Sequence, residues 1–147
     1  VCSYMKTYAK NVNTEIHCVD PWIDYEEYPE YQNKQKTNYK LFINNISKLD
    51  PVDLNKIFIH RGLSGKIIPL FQDELFDMIY IDGNHESKYV LEDAILTMTK
   101  LKKNGWLIFD DIHDPLVIKA IESFLYIYKS EFLSIYSYNS QLFLNKK

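Results

Sequence analysis

Phe76-Asp77-Met78-Ile79-Tyr80-Ile81-Asp82-Gly83-Asn84-His85 decides how this chain is read. An apolar run ends abruptly in an acid, a glycine, an amide and an imidazole. Runs of β-branched and aromatic residues without strict alternation suit a strand buried on both faces. A helical pattern follows, so the stretch predicts a strand-to-helix turn. In an open parallel sheet that turn lies at the carboxyl edge, where ligands bind. Trp106-Leu107-Ile108-Phe109-Asp110-Asp111 ends the same way, and Ile16-His17-Cys18-Val19-Asp20 does so more weakly. The three endings predict acidic strand tips that converge on one site.

Working outward, Ser87 to Lys102 reads as the clearest helix. Leu91, Ala94, Ile95, Met98 and Leu101 make its apolar stripe, while Lys88, Glu92, Asp93 and Lys100 face water. Lys103-Asn104-Gly105 should end it, with a glycine suited to positive φ. Asp114-Pro115 opens the next helix as N-cap and N1. Its core face is Val117, Ala120, Ile121, Phe124, Leu125 and Tyr128. Phe132 to Tyr138 and Gln141 to Asn145 then read as two strands around Asn139-Ser140, a hairpin signal.

Toward the N-terminus, Asn13 to Asp20 and Lys56 to His60 read as short strands. Pro21 ends the first, since it cannot donate a ladder hydrogen bond. Thr37 to Leu49 is an amphipathic helix ended by Asp50-Pro51, and Gly65 to Phe71 a short one. Val1 to Asn11 looks helical. Pro21 to Lys36 mixes Trp22, Tyr25, Tyr28 and Tyr31 with Asp24, Glu26, Glu27 and Glu30. It reads either as a lid or as a solvated excursion with tucked aromatics. Alternating helices and strands mean an α/β fold: a Rossmann-like, doubly wound, mostly parallel sheet with a C-terminal antiparallel hairpin.

Composition narrows the function. A length of 147 residues suits one domain. A chain this long buries about 68–70% of its unfolded surface and needs no disulfide or metal to fold. The net charge of -3 gives no general attraction to nucleic acid or anionic membrane. No apolar stretch approaches the roughly 20 residues of a membrane span, and no signal-peptide pattern is visible. Cys2 and Cys18 have no metal-like spacing. As reduced thiols they fit a cytoplasmic compartment.

The element order, with its terminal hairpin, resembles the class I S-adenosylmethionine-dependent methyltransferase fold. Val19-Asp20-Pro21-Trp22, then Phe76-Asp77 through Ile81-Asp82-Gly83-Asn84-His85-Glu86, then Leu101-Lys102-Lys103-Asn104-Gly105-Trp106 through Phe109-Asp110-Asp111 match successive motifs of one such family. Its pattern runs VDpW, fDliyIDGxH, LkpGG and ifDD. The family begins with a strand and a glycine-rich turn beside the methionine part of the cofactor. The four glycines here are Gly62, Gly65, Gly83 and Gly105, none before the first helix. The expectation is an N-terminally incomplete domain, with a degenerate relative as the other reading.

The resemblance implies roles. Asp20, with Trp22 beside it, would bind the cofactor, the carboxylate accepting the ribose hydroxyls. Otherwise Asp20 merely makes an Asp-Pro turn. Leu63 and Ser64 would contact adenine, or else form a plain turn. Asp82 would serve the cofactor side and, with Asp110 and Asp111, hold Mg²⁺, a hard cation that takes oxygen ligands. The alternative is that these acids only cap helices. His85 would take a proton from an acceptor hydroxyl, since imidazole ordinarily titrates near neutrality. Asn84 would orient the acceptor. His113 is a weaker candidate, and His17 and His60 read as packing residues.

The expected activity is methyl transfer from S-adenosylmethionine to a hydroxyl of a small molecule or sugar. A receiver domain needs its acidic pair on the first strand. A nicotinamide dehydrogenase needs a glycine-rich fingerprint. A non-catalytic, methyltransferase-like interaction module is the strongest alternative. No basic aromatic platform points to nucleic acid.

Overall fold

The computed structural model describes residues 14–24 and 32–147. The helix expected over Val1 to Asn11, Cys2, and the excursion residues Tyr25 to Tyr31 lie outside them. The chain divides into two compact units, Val1–Leu63 and Ser64–Lys147.

In the first unit, β1 (Ile16–Asp20) and β2 (Ile57–Arg61) pair in parallel, with Ile16 opposite Ile57 and Asp20 opposite Arg61. Parallel neighbours need a crossover. Here it includes α1 (Gln35–Ile46) and the single turn α2 (Pro51–Leu54). Phe42, Ile43 and Ile46 half-bury one side of α1. Trp22 is buried, with ring centroids 5.0 Å from Tyr39 and 5.1 Å from Phe42. Its φ of 45° is a left-handed value that bulky residues rarely adopt. His17 and His60 occur on adjacent strands with Nδ1 and Nε2 2.9 Å apart. The His17 ring also stacks on Phe58 at 4.9 Å. Burial and then the neighbouring His17 push the His60 pKa down.

The second unit begins with α3 (Ser64–Ile67) and a 3-10 turn at Ile68–Leu70. Then come β3 (Phe76–Ile81), α4 (Ser87–Lys100), β4 (Leu101–Phe109), α5 (Pro115–Tyr128), β5 (Phe132–Tyr138) and β6 (Gln141–Lys146). The sheet order is β3-β4-β6-β5. β3 and β4 run parallel, and β6 runs antiparallel to both β4 and β5. This is the expected α/β order with its C-terminal hairpin. The core joins Ile81, Leu107 and Phe109 of the sheet to Ala94 and Met98 of α4 and to Phe124 of α5. Burying each such large side chain contributes about 1.5–3 kcal/mol.

Three details differ from the sequence expectation. First, α4 stops at Lys100, and Leu101 already belongs to β4. Lys146 Nζ, reaching over from β6, donates to the carbonyls of Met98 and Leu101 at 2.7 Å each, so a cation satisfies the helix end. Second, Lys103-Asn104-Gly105 is a bulge inside β4. Between Phe76 and Met78 the partner jumps from Leu101 to Trp106. Asn104, at φ 60°, takes the left-handed turn, whereas no glycine has positive φ. Third, the buried face of α4 is Val90, Ala94, Thr97 and Met98, with Ile95 exposed. The stripe is turned about one position from the expected one. Asp93 consequently flanks the core instead of facing water.

Asp114 caps α5 as expected, its Oδ1 accepting from the Leu116 N–H at 2.8 Å, with Pro115 at N1. The β5–β6 turn puts Asn139 at φ 46° and Ser140 at φ 61°. Two left-handed residues suit the right-handed twist of a hairpin. Serine in that region costs about 1–2 kcal/mol, more than the roughly 0.5–1 kcal/mol of extra backbone entropy glycine would lose. Ser140→Gly should therefore raise stability by about 0.5 kcal/mol, seen as a higher urea midpoint at unchanged slope. Among the described residues, no helix is long and apolar enough to cross a membrane.

Candidate active site

The site in the second unit is built on the carboxyl tips of β3 and β4. Parallel pairing sets Ile81 beside Phe109, so Asp82 and Asp110 leave the sheet side by side. Asp111 has φ 52°, a left-handed value that short polar residues tolerate better than others. Its N–H donates to its neighbour's Asp110 Oδ1 at 3.0 Å. Asp82, His85 and Asp111 each offer one ligand atom, and these atoms all lie within 4.8 Å of one another. Two carboxylates and an imidazole at that spacing fit a divalent cation.

His85 is held from two sides. Nε2 lies 3.1 Å from Asp111 Oδ2, and Nδ1 lies 3.5 Å from Asp114 Oδ2. Asp114 thus serves both the helix cap and the imidazole. Asn84 spends its Oδ1 on the turn, accepting from the Glu86 N–H at 2.8 Å. His113 Nδ1 reaches Asp111 Oδ1 only at 3.8 Å, and its side chain is largely exposed. A recess beside the tips is lined by Asp82, His85, Asp110 and the apolar Ile81, Val90 and Phe109.

Asp110 is engaged differently. It accepts from the Tyr80 hydroxyl, from the Asp111 N–H, and from Gln141 Nε2 at 3.3 Å. Gln141 Nε2 also donates to the Tyr80 oxygen at 2.7 Å. Burial pushes the Asp110 pKa up, but the hydrogen bonds outweigh it and hold the carboxyl below its ordinary value. The opposite holds at Asp82. Desolvation, then the charges of Asp110 and Asp111, raise its pKa, and His85 offsets part of this. Such a site favours a bound cation, which would relieve the repulsion. Burial and Asp110 also push the Tyr80 hydroxyl far up, so it stays a donor.

None of these three acids caps a helix. Glu86 precedes α4 without a side-chain cap bond, and Asp114 caps α5. Tyr80, Asp93, Asp114 and Gln141 are the neighbours that sequence reasoning did not assign to the site. Asp114 was legible only as a cap. Gln141 has no local signal. It comes near Asp110 because β6 pairs with β4, with Leu142 opposite Phe109.

The remaining candidates are distributed as follows. Asp20, Trp22 and Leu63 belong to the first unit, and Ser64 opens the second. Asp20 Oδ1 accepts from the Trp22 N–H, the hydrogen-bonded turn its Asp-Pro context predicts. Desolvation raises the Asp20 pKa, and that N–H pulls it partly back. Leu63 is exposed. Burial raises the Asp93 pKa to about 6, and the nearby Ser64 hydroxyl pulls it partly back.

A family model described as a methyltransferase domain matches residues 1–112. No curated protein sequence matches the chain. Among solved structures, a Corynebacterium glutamicum protein superposes with a TM-score of 0.63 at 12% identity, covering 91% of this chain and 61% of its own. CalS11, a TDP-rhamnose 3'-O-methyltransferase of calicheamicin biosynthesis, gives a TM-score of 0.58 at 11% identity, covering 97% of this chain and 64% of its own. MycE, a methyltransferase of the mycinamycin pathway solved with Mg and S-adenosylhomocysteine, gives 0.54 at 14%, covering 99% and 48%. The chain thus spans about half to two thirds of the length of these structures. At such identities the superpositions speak for the fold, and the family match covers most of the sequence. The chain belongs to the methyltransferase-domain family, with the fold of the class I S-adenosylmethionine-dependent enzymes.

Proposed function

We propose that this protein moves the methyl group of S-adenosylmethionine to a hydroxyl oxygen of a small molecule or sugar, assisted by Mg²⁺. The observation that carries the reading is His85, held between Asp111 and Asp114 beside Asp82. A base pinned at a carboxylate-rich strand tip suits proton removal from a hydroxyl. CalS11 is a sugar O-methyltransferase and MycE binds Mg, and both support the same direction.

In this reading Asp20 and Trp22 hold the nucleoside end of the cofactor, with Leu63 and Ser64 toward adenine. Asp82 and Asp111, with Asp110 next to them, would hold Mg²⁺. When bound, that ion would orient an acceptor hydroxyl and lower its pKa. The cofactor supplies a methyl group on a sulfonium, itself a good leaving group. Asp114 faces Nδ1 of His85 and fixes the ring. With Asp111 Oδ2 engaged by the cation instead of by the ring, Nε2 would be free to take the hydroxyl proton as the new oxygen–carbon bond forms and the carbon–sulfur bond of the cofactor breaks. Asn84, committed to its turn, fixes the backbone between Asp82 and His85. Little covalent help is needed; holding donor and acceptor within about 3–3.5 Å in line carries most of the effect.

The test is calorimetric titration of the full-length protein with S-adenosylhomocysteine, alongside Asp20→Ala. Saturable binding, weakened at least about tenfold by the loss of charged hydrogen bonds, is expected. Mg²⁺ is then added with hydroxylated acceptors, since cofactor binding itself does not require it. A well-folded full-length protein that binds no S-adenosylhomocysteine would overturn the reading and favour a non-catalytic interaction module.

A further inference from the structure

The C-terminal hairpin reaches the tip of β4 at two points. The Ser140 carbonyl in its turn accepts from the Ile112 N–H at 3.0 Å. Gln141 Nε2, at the start of β6, donates to Asp110 Oδ1 at 3.3 Å and to the Tyr80 hydroxyl oxygen at 2.7 Å. The Tyr80 hydroxyl in turn donates to Asp110 Oδ2. Both carboxylate oxygens of Asp110 are therefore engaged from β3 and β6, and Asp111 lies between two residues that the hairpin holds.

Asp110 and Asp111 face different ways. Asp111 converges with Asp82 and His85, and Asp110 is not one of those three. Asp110 reaches the group through the backbone instead, its Oδ1 accepting from the Asp111 N–H at 3.0 Å. Asp111 has φ 52°, a conformation that a residue with a Cβ keeps only with support. On its other side, the Asp111 carbonyl accepts from the Asp114 N–H at 2.9 Å. A residue held at both of its peptide groups aims its carboxylate one way, and Asp111 Oδ2 stands 3.1 Å from His85 Nε2. Metal ligands are ordinarily oriented by outer partners of this kind. Tyr80 is exposed, so water would satisfy its hydroxyl equally well. What Asp110 gains from the contact is a fixed orientation.

We propose that Tyr80 and Gln141 are positioning residues for the divalent cation: they fix the Asp110 carboxylate, which sets the Asp111 backbone and so the aim of the Asp111 carboxylate. The inference deepens the proposed function and rests on its cation.

The experiment titrates the full-length protein with Mn²⁺, a paramagnetic stand-in for Mg²⁺ whose free form is followed by electron paramagnetic resonance. Wild type is compared with Tyr80→Phe, Gln141→Met and the double variant, and S-adenosylhomocysteine affinity is measured in parallel. Each single variant should weaken Mn²⁺ binding about tenfold or more, the usual cost of losing an outer partner. S-adenosylhomocysteine affinity should stay within about twofold of wild type, which a general loosening of the fold would not allow. The double variant should lose less than the product of the two single losses, because both act through one carboxylate. Neither side chain belongs to the buried core, and each single variant decides by itself should the other misfold. Mn²⁺ affinity within about twofold of wild type in either folded variant, or losses that multiply in the double variant, would overturn the proposal and leave the methyltransferase reading intact. A wild-type protein that binds S-adenosylhomocysteine but no Mn²⁺ overturns the proposal together with the role of the cation. One that binds neither overturns the methyl-transfer reading as well.

Discussion

His85→Ala lowers the rate of methyl transfer by about 10²–10⁴-fold, the usual contribution of a positioned general base. The expectation follows from geometry. The ring is gripped from Nδ1 by Asp114 at 3.5 Å and from Nε2 by Asp111 at 3.1 Å. A side chain that only filled space would not need two carboxylates to set its orientation. The measurement is single-turnover transfer from labelled S-adenosylmethionine to a hydroxylated acceptor that the wild-type protein methylates. Affinity for S-adenosylhomocysteine should stay near wild type, because the base acts on the acceptor and not on the nucleoside. The loss therefore falls on the chemical step and not on KM for the cofactor. A rate within about threefold of wild type would remove His85 from the chemistry. A matching loss of cofactor affinity would instead make it a binding residue.

The strand tips were legible because their signal is local. The apolar run of β3 stops at Ile81, and the acid, glycine, amide and imidazole that follow must then form the turn. The cap at Asp114 was legible for the same reason, since an acid before proline has few other uses at a helix start. What escaped was set by pairing across the chain. Nothing near Gln141 reveals that it will bond Tyr80 and Asp110. The β4–β6 register does that, 31 residues away from Asp110 in sequence. Asp93 escaped through a phase error. Leu91 and Ile95 made an attractive stripe, but Val90, Ala94 and Thr97 are the side that packs. In a helix flanked by apolar residues on both sides, about one position of rotation moves an acid from water to the core. The Lys103-Asn104-Gly105 stretch misled for a further reason. Its composition fits a helix end, and a bulge that also needs one left-handed residue looks the same in sequence.

That bulge gives the largest expected effect on stability. Gly105 is buried and does not have positive φ, so its glycine is required by space alone. A Cβ there would meet Leu101 Cδ1 at 2.8 Å and the Lys102 carbonyl oxygen at 2.8 Å. The Lys102 oxygen is backbone, not the far end of a flexible side chain, and Leu101 has little room to yield. Leu101 is fully buried in the core, and Lys146 Nζ holds its carbonyl at 2.7 Å. The bulge is also tied down by Asn145 Nδ2, which donates to the Asn104 carbonyl at 2.9 Å and to that of Gly105 at 3.2 Å. Overpacking of this kind costs up to about 3 kcal/mol, and the entropy alanine saves in the unfolded chain returns about 0.5–1 kcal/mol. Gly105→Ala should therefore destabilise by about 2 kcal/mol net, read as a lower urea midpoint. The same substitution elsewhere is the control. At Gly65 the close atom is the Glu92 Oε1 tip at 2.9 Å, a flexible side chain that can swing away, and at Gly83 the nearest atom is an ordinary 3.6 Å contact. Both should cost well under about 1 kcal/mol. If Gly105→Ala is as mild as they are, the bulge is soft, and the β3–β4 register that sets Asp82 beside Asp110 is held by the core residues alone.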